Sequence, residues 1–253
     1  MERISAVIIT QDEARNIGRC LESLRGVADE VIVVDSGSTD DTGSICRASG
    51  ARFVPHPWEG FSGQKNYADS LAQYPWILSI DADEALSDDL RTTLMDLKKN
   101  GFAADTVYTM CRLNNYCGRW LRHGGWYPDE HVRLWRNGVA RWDGVVHEQL
   151  QYVCPVRRQR LKGTLLHYTY YSVDEHVRRT AKYASLAGEK AFEQGRRCGM
   201  GAVVWKPVGT FLKNYLLKGG FRDGSMGFVS ARVSAFYTLI KYTRLFEKSK
   251  SKD

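Results

Sequence analysis

Short apolar runs rich in β-branched residues recur through the first third of this 253-residue chain. They are residues 4–10 (ISAVIIT), 30–35 (EVIVVD), 52–54 (RFV) and 76–80 (WILSI). The segments between them predict helices, near residues 14–25, 41–49 and 62–73. Apolar strands that alternate with helices are typical of a parallel sheet covered on both faces. We therefore predict an α/β fold.

The pattern changes after residue 100. Strand-like alternation is found at residues 107–116, 131–136, 145–150 and 163–168, and helical patterns at 172–194, 203–218 and 226–246. We predict a mixed, mostly parallel sheet flanked by helices in a first domain of residues 1–168. A helical, basic region of residues 169–253 is expected to follow.

The composition is that of a globular protein, with 43% hydrophobic and 26% charged residues, which excludes a wholly disordered or collagen-like chain. No run of about 18 apolar residues predicts a spanning helix, and the first residues lack the pattern of a signal peptide. Six cysteines without a C-x-x-C pair predict reduced, mostly buried thiols. We therefore expect a cytoplasmic protein.

Charge is distributed unevenly along the chain. Residues 1–154 contain 16 basic and 22 acidic residues, whereas residues 155–253 contain 20 basic and 7 acidic residues. An acidic first part fits a site that binds a cation. A basic last part fits an anionic partner, such as a membrane surface, a phosphorylated acceptor or nucleic acid, and a solvated basic tail is the alternative.

Three carboxylates come at or just after the predicted strand ends: Asp35, Asp81 and Asp83. Ligands of parallel sheets bind beyond the carboxyl ends of the strands. Asp81 and Asp83 lie two residues apart, so in extended backbone they face the same side and can approach one divalent cation together with substrate phosphates. An exposed acidic turn is the alternative interpretation of D-x-D.

Asp35 can accept a hydrogen bond from a ribose hydroxyl or a base. The chain has no G-x-G-x-x-G after its first strand and no G-x-x-x-x-G-K-[ST], which disfavours a nicotinamide cofactor and a P-loop nucleotidase. A nucleotide would therefore be bound mainly by acids and a metal.

Three motifs in order, T-Q-D-E-A-R-N-I, V-I-V-V-D-S-G-S-T-D-D-T and S-I-D-A-D-E, resemble the family 2 glycosyltransferases of GT-A fold over roughly residues 4–110. Later motifs narrow the resemblance: G-W-Y-P-D-E-H-V-R-L-W, V-H-E and K-G-G-F-R-D-G are similar to the bacterial subfamily that contains the lipopolysaccharide-core β-1,4-glucosyltransferases. The resemblance implies an inverting transfer of a hexose, glucose above all, from a UDP-sugar to a core-sugar hydroxyl, with Mg²⁺ or Mn²⁺. Another envelope glycan or a lipid carrier is the alternative acceptor.

The resemblance also implies roles for residues at the strand ends. Thr10 would contribute backbone beside the uridine, and Asp35 would contact the uracil or ribose. The chain has Asp12-Glu13 where the family commonly has Asn-Glu, so Glu13 takes the acidic position. Asp83 would bind the metal, and Asp81 would lie nearer the ribose.

A lysine and two acids complete the implied machinery. Relatives often have arginine at the position of Lys65, which could reach a diphosphate. A solvated lysine on a helix face is the alternative. An inverting transferase needs a base for the acceptor hydroxyl. Asp129, after Pro128, is the first candidate and Glu130 its rival, while Tyr-Pro-Asp-Glu is also an ordinary turn composition.

Two further residues have open roles. His147 could complete the cation shell or contact phosphate, or lie hydrogen-bonded at a sheet edge. Arg133 could neutralise the leaving diphosphate, pair with the acids or be structural.

Aromatic and basic residues interleave in segments 203–218 and 226–246. This pattern favours helices lying on an anionic inner-membrane surface, with a helical subdomain packed on the sheet as the alternative. A non-catalytic nucleic-acid-binding protein is the rival from another class, but no RNP, zinc-finger or helix-turn-helix signature supports it, and we expect no nucleic-acid partner.

Overall fold

The computed structural model describes residues 1–144 and 149–250. The strands are β1 (Ile4–Thr10), β2 (Glu30–Asp35), β3 (Arg52–Pro55), β4 (Trp76–Ser79), β5 (Glu84–Leu86), β6 (Thr106–Tyr116), β7 (Arg119–Leu121), β8 (Asp129–Arg136), β9 (Ala140–Asp143), β10 (Gln149–Tyr152) and β11 (Arg157–Tyr170). The α-helices are α1 (Ile17–Leu24), α2 (Thr42–Ala48), α3 (Gly60–Ser70), α4 (Asp88–Asn100), α5 (Val173–Glu193), α6 (Met200–Leu212) and α7 (Gly224–Lys250). A π-helical turn (Lys213–Leu217) and a 3₁₀ turn (Gly220–Asp223) join α6 to α7.

The main sheet is mixed, with the strand order β3-β2-β1-β4-β8-β6-β11-β5, and β7 pairs with β6. Strands β3, β2, β1 and β4 are parallel, whereas β8 runs antiparallel to both β4 and β6. This arrangement confirms the predicted α/β, GT-A-type fold. The four strands whose apolar runs open the sequence pair in parallel.

Both faces of the parallel strands are buried. Alternate residues of β1 point to opposite faces, so Ile8 packs with α1 and α2 residues while Val7 packs with Ala68 of α3. Strands β1, β2 and β4 are parallel neighbours. The carboxyl ends of β1, β2 and β4 therefore lie at one edge of the sheet.

The sequence prediction missed the strands β5, β7 and β9 and the helix α4. Strand β5 has only three residues and follows the acidic motif directly, so it has no periodic signal of its own. Helix α4 is polar, and its start is marked by Ser87, whose hydroxyl accepts a hydrogen bond from the Leu90 amide.

The chain forms two compact units, one of residues 1–112 with 129–167 and one of residues 113–128 with 168–253. In the second unit, α5 begins at Ser172, whose side chain accepts a hydrogen bond from the Glu175 amide as the predicted capping box requires. Across residues 1–144 and 149–250, no helix has the length and apolar character needed to cross a membrane.

Candidate active site

The loop after β2 folds around the carboxylate of Asp35. Thr10 and Asp35 are opposite each other in the β1–β2 register, and both are buried. Asp35 Oδ2 accepts hydrogen bonds from the amides of Gly37 (2.9 Å) and Ser38 (2.8 Å), and Oδ1 accepts one from the Ser38 hydroxyl. The acid therefore shapes its own loop, and the predicted contact with a uracil or ribose stays a prediction.

Asp12 joins the loops that follow β1 and β2. Its φ is +53°, in the left-handed region that asparagine and aspartate tolerate best. Its Oδ1 accepts a hydrogen bond from the Thr39 amide at 2.7 Å, and its own amide donates to Ser38 Oγ at 2.8 Å. An amide side chain could accept the same bond, which explains why aspartate can occupy a position where asparagine is common.

Glu13 lies in the turn that leads into α1. Its amide donates to Thr42 Oγ1 at 2.8 Å, and its Oε2 accepts from Asn16 Nδ2 at 2.7 Å. These bonds hold the Glu13 carboxylate at the β1 edge beside the Asp35 loop. Its predicted place near the uridine stays a prediction.

Asp81 is paired with two buried cations. Arg133 Nη2 donates to Asp81 Oδ2 at 2.6 Å, and Lys65 Nζ lies 3.4 Å from Oδ1. Burial alone would raise the pKa of the Asp81 carboxyl, but the charges of Arg133 and Lys65 hold it well below its usual range. Asp81 is therefore ionised and compensated by protein groups, which makes it a poor ligand for a separate cation.

Glu84 belongs to the same cluster and was missed by the sequence analysis. Glu84 is 1% exposed. One of its carboxylate oxygens accepts a hydrogen bond from Arg133 Nη2 at 2.6 Å, and the other accepts one from the Asp81 amide at 3.0 Å. The only sequence signal was its position directly after the D-x-D motif. Arg133 thus pairs with the acids, one of the three roles predicted for it.

Lys65 is buried on α3, with 5% of its surface exposed. Besides its pair with Asp81, its Nζ lies 4.5 Å from the ring centroid of Trp142. This burial excludes the alternative of a solvated lysine. A charged lysine here is stabilised by the carboxylate and by the face of the indole.

Asp83 is the acid of the motif that remains available to a cation. Its side chain is about a quarter exposed, and its Oδ2 lies 3.1 Å from Nε2 of His167, on β11. A carboxylate and an imidazole side by side form a donor pair that suits Mn²⁺ or a similar divalent ion. His167 was not predicted, because 84 residues separate it from Asp83.

A complete metal site is not preformed. In the described ranges 1–144 and 149–250, no group of three or more His, Cys, Asp and Glu side chains could hold a metal ion. Two protein donors fit a cation that takes its remaining ligands from substrate phosphates. His147 was the predicted second ligand, and it lies outside the described residues.

The two candidate bases begin strand β8. One carboxylate oxygen of Asp129 accepts a hydrogen bond from Arg112 Nε at 2.8 Å. The other oxygen lies 2.8 Å from His131 Nε2. Burial would raise the pKa of Asp129, but the hydrogen bond from His131 and the Arg112 charge keep it well below its usual range. Glu130 is exposed, and its Oε1 accepts a hydrogen bond from the Thr109 hydroxyl.

The sequence profile described as Glycosyl transferase family 2 matches residues 5–162, well over half of the chain. The chain belongs to glycosyltransferase family 2. It is 32% identical to the lipopolysaccharide core biosynthesis glycosyltransferase LpsC of Rhizobium meliloti, over 97% of this chain and 92% of that protein. An uncharacterized glycosyltransferase of Rickettsia felis is 30% identical over 98% of this chain and 90% of its own.

Among solved structures, one similar chain is glucosyl-3-phosphoglycerate synthase from Mycobacterium tuberculosis in complex with Mn²⁺, UDP and glucosyl-3-phosphoglycerate. The two chains are 28% identical over a region that covers 42% of this chain and 44% of the synthase, with a TM-score of 0.35.

In this family 2 enzyme, a cavity of about 600 Å³ opens beside the paired acids. Its lining includes Lys65, Asp81, Arg112, Glu130, His131, Arg133, Trp142, Tyr152 and Arg158. Asp129 is not among the lining residues, but its partner His131 is. Four cationic groups and two carboxylates line the cavity. Three of the cations, Lys65, Arg112 and Arg133, pair with Asp81, Glu84 or Asp129, and Arg158 is the fourth.

Proposed function

We propose that this family 2 enzyme transfers a hexose, with glucose as the first expectation, from a UDP-sugar to a sugar hydroxyl of a lipopolysaccharide core or related envelope glycan. The observation that carries the proposal is the meeting of Asp35, Asp81 and Asp83 at one sheet edge, beside a cavity rich in cations. The near full-length similarity to a lipopolysaccharide core biosynthesis enzyme supports the acceptor class.

The donor nucleotide would lie across the ends of β1 and β2. Asp35 and Glu13 supply carboxylates and Thr10 supplies backbone for the uridine. Lys65, buried against Asp81, supplies the positive charge nearest to the diphosphate. Arg133 holds Asp81 in place, so the donor meets an arrangement that is already ordered.

Asp83 would hold the divalent ion, with His167 as the second protein ligand and His147 as a further candidate outside the described residues. Such an ion, when bound, neutralises charge on the diphosphate as a Lewis acid. The protein groups named above would orient the donor so that its anomeric carbon faces the acceptor hydroxyl.

Asp129 is our proposed base. It takes the proton of the acceptor hydroxyl while the acceptor oxygen bonds to the anomeric carbon and the bond from that carbon to the UDP oxygen breaks. Its lowered pKa keeps it deprotonated before the reaction. Glu130 is the rival, because it lines the cavity directly.

A donor panel tests the proposal. UDP-glucose, UDP-galactose, UDP-N-acetylglucosamine, a GDP-sugar and an ADP-sugar are compared by thermal shift with and without Mn²⁺. A ligand that binds the folded state raises the melting temperature. We expect the largest shift with UDP-glucose and Mn²⁺, followed by UDP release when a core oligosaccharide is added. Stabilisation by a GDP- or ADP-sugar alone would refute the assigned donor.

A second assay separates the acceptor alternatives. Radiolabelled donor is offered with core oligosaccharide or with a lipid-linked carrier, and the labelled product is identified. Transfer to the carrier alone would replace the proposed acceptor and leave the donor assignment intact.

A further inference from the structure

Helix α6 exposes apolar side chains in the second compact unit. Within it, Val203 alone is buried, although the helix sequence, MGAVVWKPVGTFL, is largely apolar. Trp205 is 70% exposed and Leu217, in the following π-helical turn, is 85% exposed. Exposed apolar residues are ordinary singly, but a contiguous set of them marks an interaction site.

Exposed apolar residues continue through the two turns onto α7, and we call this set the α6–α7 apolar face. Its members are Met200, Val204, Trp205, Val208, Leu212, Leu216, Leu217, Phe221, Phe228, Phe236 and Leu239. The two helices are in contact beneath it: the Phe211 and Phe228 rings lie 5.7 Å apart, and Val208 and Phe236 line one shallow groove of about 270 Å³.

The charged residues of the segment that contains this face are almost all basic. Residues 194–246 contain nine Lys and Arg residues and one acid, Asp223. Asp223 is buried and is used internally, accepting hydrogen bonds from the amides of Arg122 and His123 and pairing with the His123 ring at 2.9 Å. Arg244 is paired with Glu189 of α5 and with Glu247, so the positive charge of this segment is carried by its eight other basic residues.

The residue types distinguish a lipid surface from a protein partner. Protein interfaces are depleted in lysine, whereas Lys206, Lys213 and Lys218 lie within and beside the α6–α7 apolar face. Helices that lie in a membrane interface have an apolar face with Trp, Phe and Leu, edged by Lys and Arg. Helix α6 has 13 residues and is too short to span a bilayer, which needs about 20.

We propose that the α6–α7 apolar face docks onto an anionic lipid surface, with its apolar side chains in the headgroup region and its lysines and arginines against lipid phosphates. The proposal is independent of the transfer reaction, because it concerns binding alone. Each basic residue near such a surface strengthens binding several-fold, and this contribution weakens as salt increases.

Vesicle flotation with the full-length protein tests the proposal. We expect binding to vesicles of phosphatidylglycerol and phosphatidylcholine, release at 0.5 M or higher salt (about 4 Å screening length), and no binding to pure phosphatidylcholine. Reversing Lys206, Lys213 and Lys218 to glutamate should weaken the partition coefficient by about a hundredfold or more. Absence of the wild-type protein from the anionic vesicles at low salt would overturn the proposal.

A matched control changes the same charge elsewhere. Lys99, Arg136 and Lys162 are exposed residues of the first unit, and their reversal to glutamate should leave most of the binding intact. If both triple variants lose binding equally, net charge rather than this face is responsible and the proposal is wrong.

Two measurements address the apolar contact. Brominated anionic lipid should quench the tryptophan fluorescence of the wild type more than that of Trp205→Phe, since Trp205 would enter the headgroup region. Light scattering measures whether the face joins two copies of the chain instead. A stable dimer that Leu217→Ser and Phe228→Ser dissociate would assign the face to a second copy and overturn the lipid proposal.

Discussion

Arg133 is the residue around which the acidic cluster is organised. Arg133 is 3% exposed, and one nitrogen of its guanidinium donates hydrogen bonds to both Asp81 and Glu84. Burial would lower the pKa of Arg133, but the two carboxylates raise it above its ordinary value. Removing one partner of a buried pair leaves an uncompensated charge and typically costs about 3–5 kcal/mol. The cluster is therefore a fixed part of the fold before any substrate arrives.

The cation assignment predicts a specific loss at Asp83. Asp83→Asn should nearly abolish transfer and weaken Mn²⁺ binding in the presence of UDP, because one of two protein ligands loses its charge. Isothermal titration of Mn²⁺ into the UDP-bound protein measures this without turnover, and His167→Ala should weaken binding in the same assay.

Asp96→Asn is the matched control, since Asp96 is an exposed acid of α4. It should bind Mn²⁺ as the wild type does. Wild-type affinity in Asp83→Asn would remove Asp83 from the metal site.

The base assignment predicts unequal effects at two adjacent acids. Asp129→Asn should lower kcat by about 10²–10⁴ with donor binding retained, whereas Glu130→Gln should have a much smaller effect. Since the pKa of Asp129 is held below the usual carboxyl range, kcat/KM should show no acidic limb between pH 5 and 7. Steady-state kinetics across pH measure both, and the reverse order of the two variants would assign the base to Glu130.

Helix α3 buries two ionisable residues one turn apart, Lys65 and Asp69. Neither carboxyl oxygen of Asp69 has a hydrogen-bond partner within the described part of the chain. Burial raises the pKa of Asp69 to about 7, against the opposing effects of the nearby Trp142 indole N–H and of the Lys65 charge. The neutral acid is thus the form that the packed helix favours.

This burial predicts a pH-dependent gain in stability for Asp69→Asn. The pKa of Asp69 is higher in the folded protein than in the unfolded chain. Its contribution to the free energy of unfolding is therefore fully present below about pH 4 and is lost as the pH rises through 7. The variant should match the wild type at pH 4 and exceed it at pH 8 by up to about 4 kcal/mol. Urea unfolding at both pH values measures the difference. If the variant is more stable than the wild type by the same amount at pH 4 and pH 8, the titration of Asp69 is not the reason.

At the scale of the whole molecule, the second unit contains an acid-sensitive position. His176 of α5 is 7% exposed, lies 2.9 Å from the Tyr116 hydroxyl and stacks on Tyr170 at 4.2 Å. Burial, aided by the charge of Arg179, lowers the pKa of His176 to about 4. The histidine is therefore neutral in the folded protein at pH values where the unfolded chain protonates it.

This difference predicts that acid destabilises the second unit. Between about pH 6.5 and pH 4 the unfolded state binds one more proton at this site, so stability falls as the pH falls, by up to about 3 kcal/mol in total. His176→Gln, which cannot titrate, should show a flatter dependence. Melting temperatures from pH 4 to 8 measure this, and parallel curves for the two proteins would exclude His176 as the cause.

The local pattern of the sequence was sufficient to predict the four parallel strands and the acids at their ends. The apolar runs of β1, β2 and β4, the Ser172 cap and the positions of Asp35 and Asp83 all follow from neighbours within a few residues. Periodicity and capping depend on residues close together in the sequence, so they can be recognised in a single sequence before its structure is known. Beyond the acids, the roles implied for Thr10 and Glu13 came from the resemblance to family 2.

Tertiary structure alone decided how those acids are partnered. Arg133 reaches Asp81 through the antiparallel pairing of β4 with β8, and His167 reaches Asp83 through the pairing of β5 with β11. The burial of Lys65 likewise depends on Trp142, 77 positions further along the chain. These contacts depend on strand register and on packing between distant segments. The sequence by itself therefore determined which groups can do the chemistry, and the fold determined which carboxylate is neutralised by protein cations and which is left for a ligand.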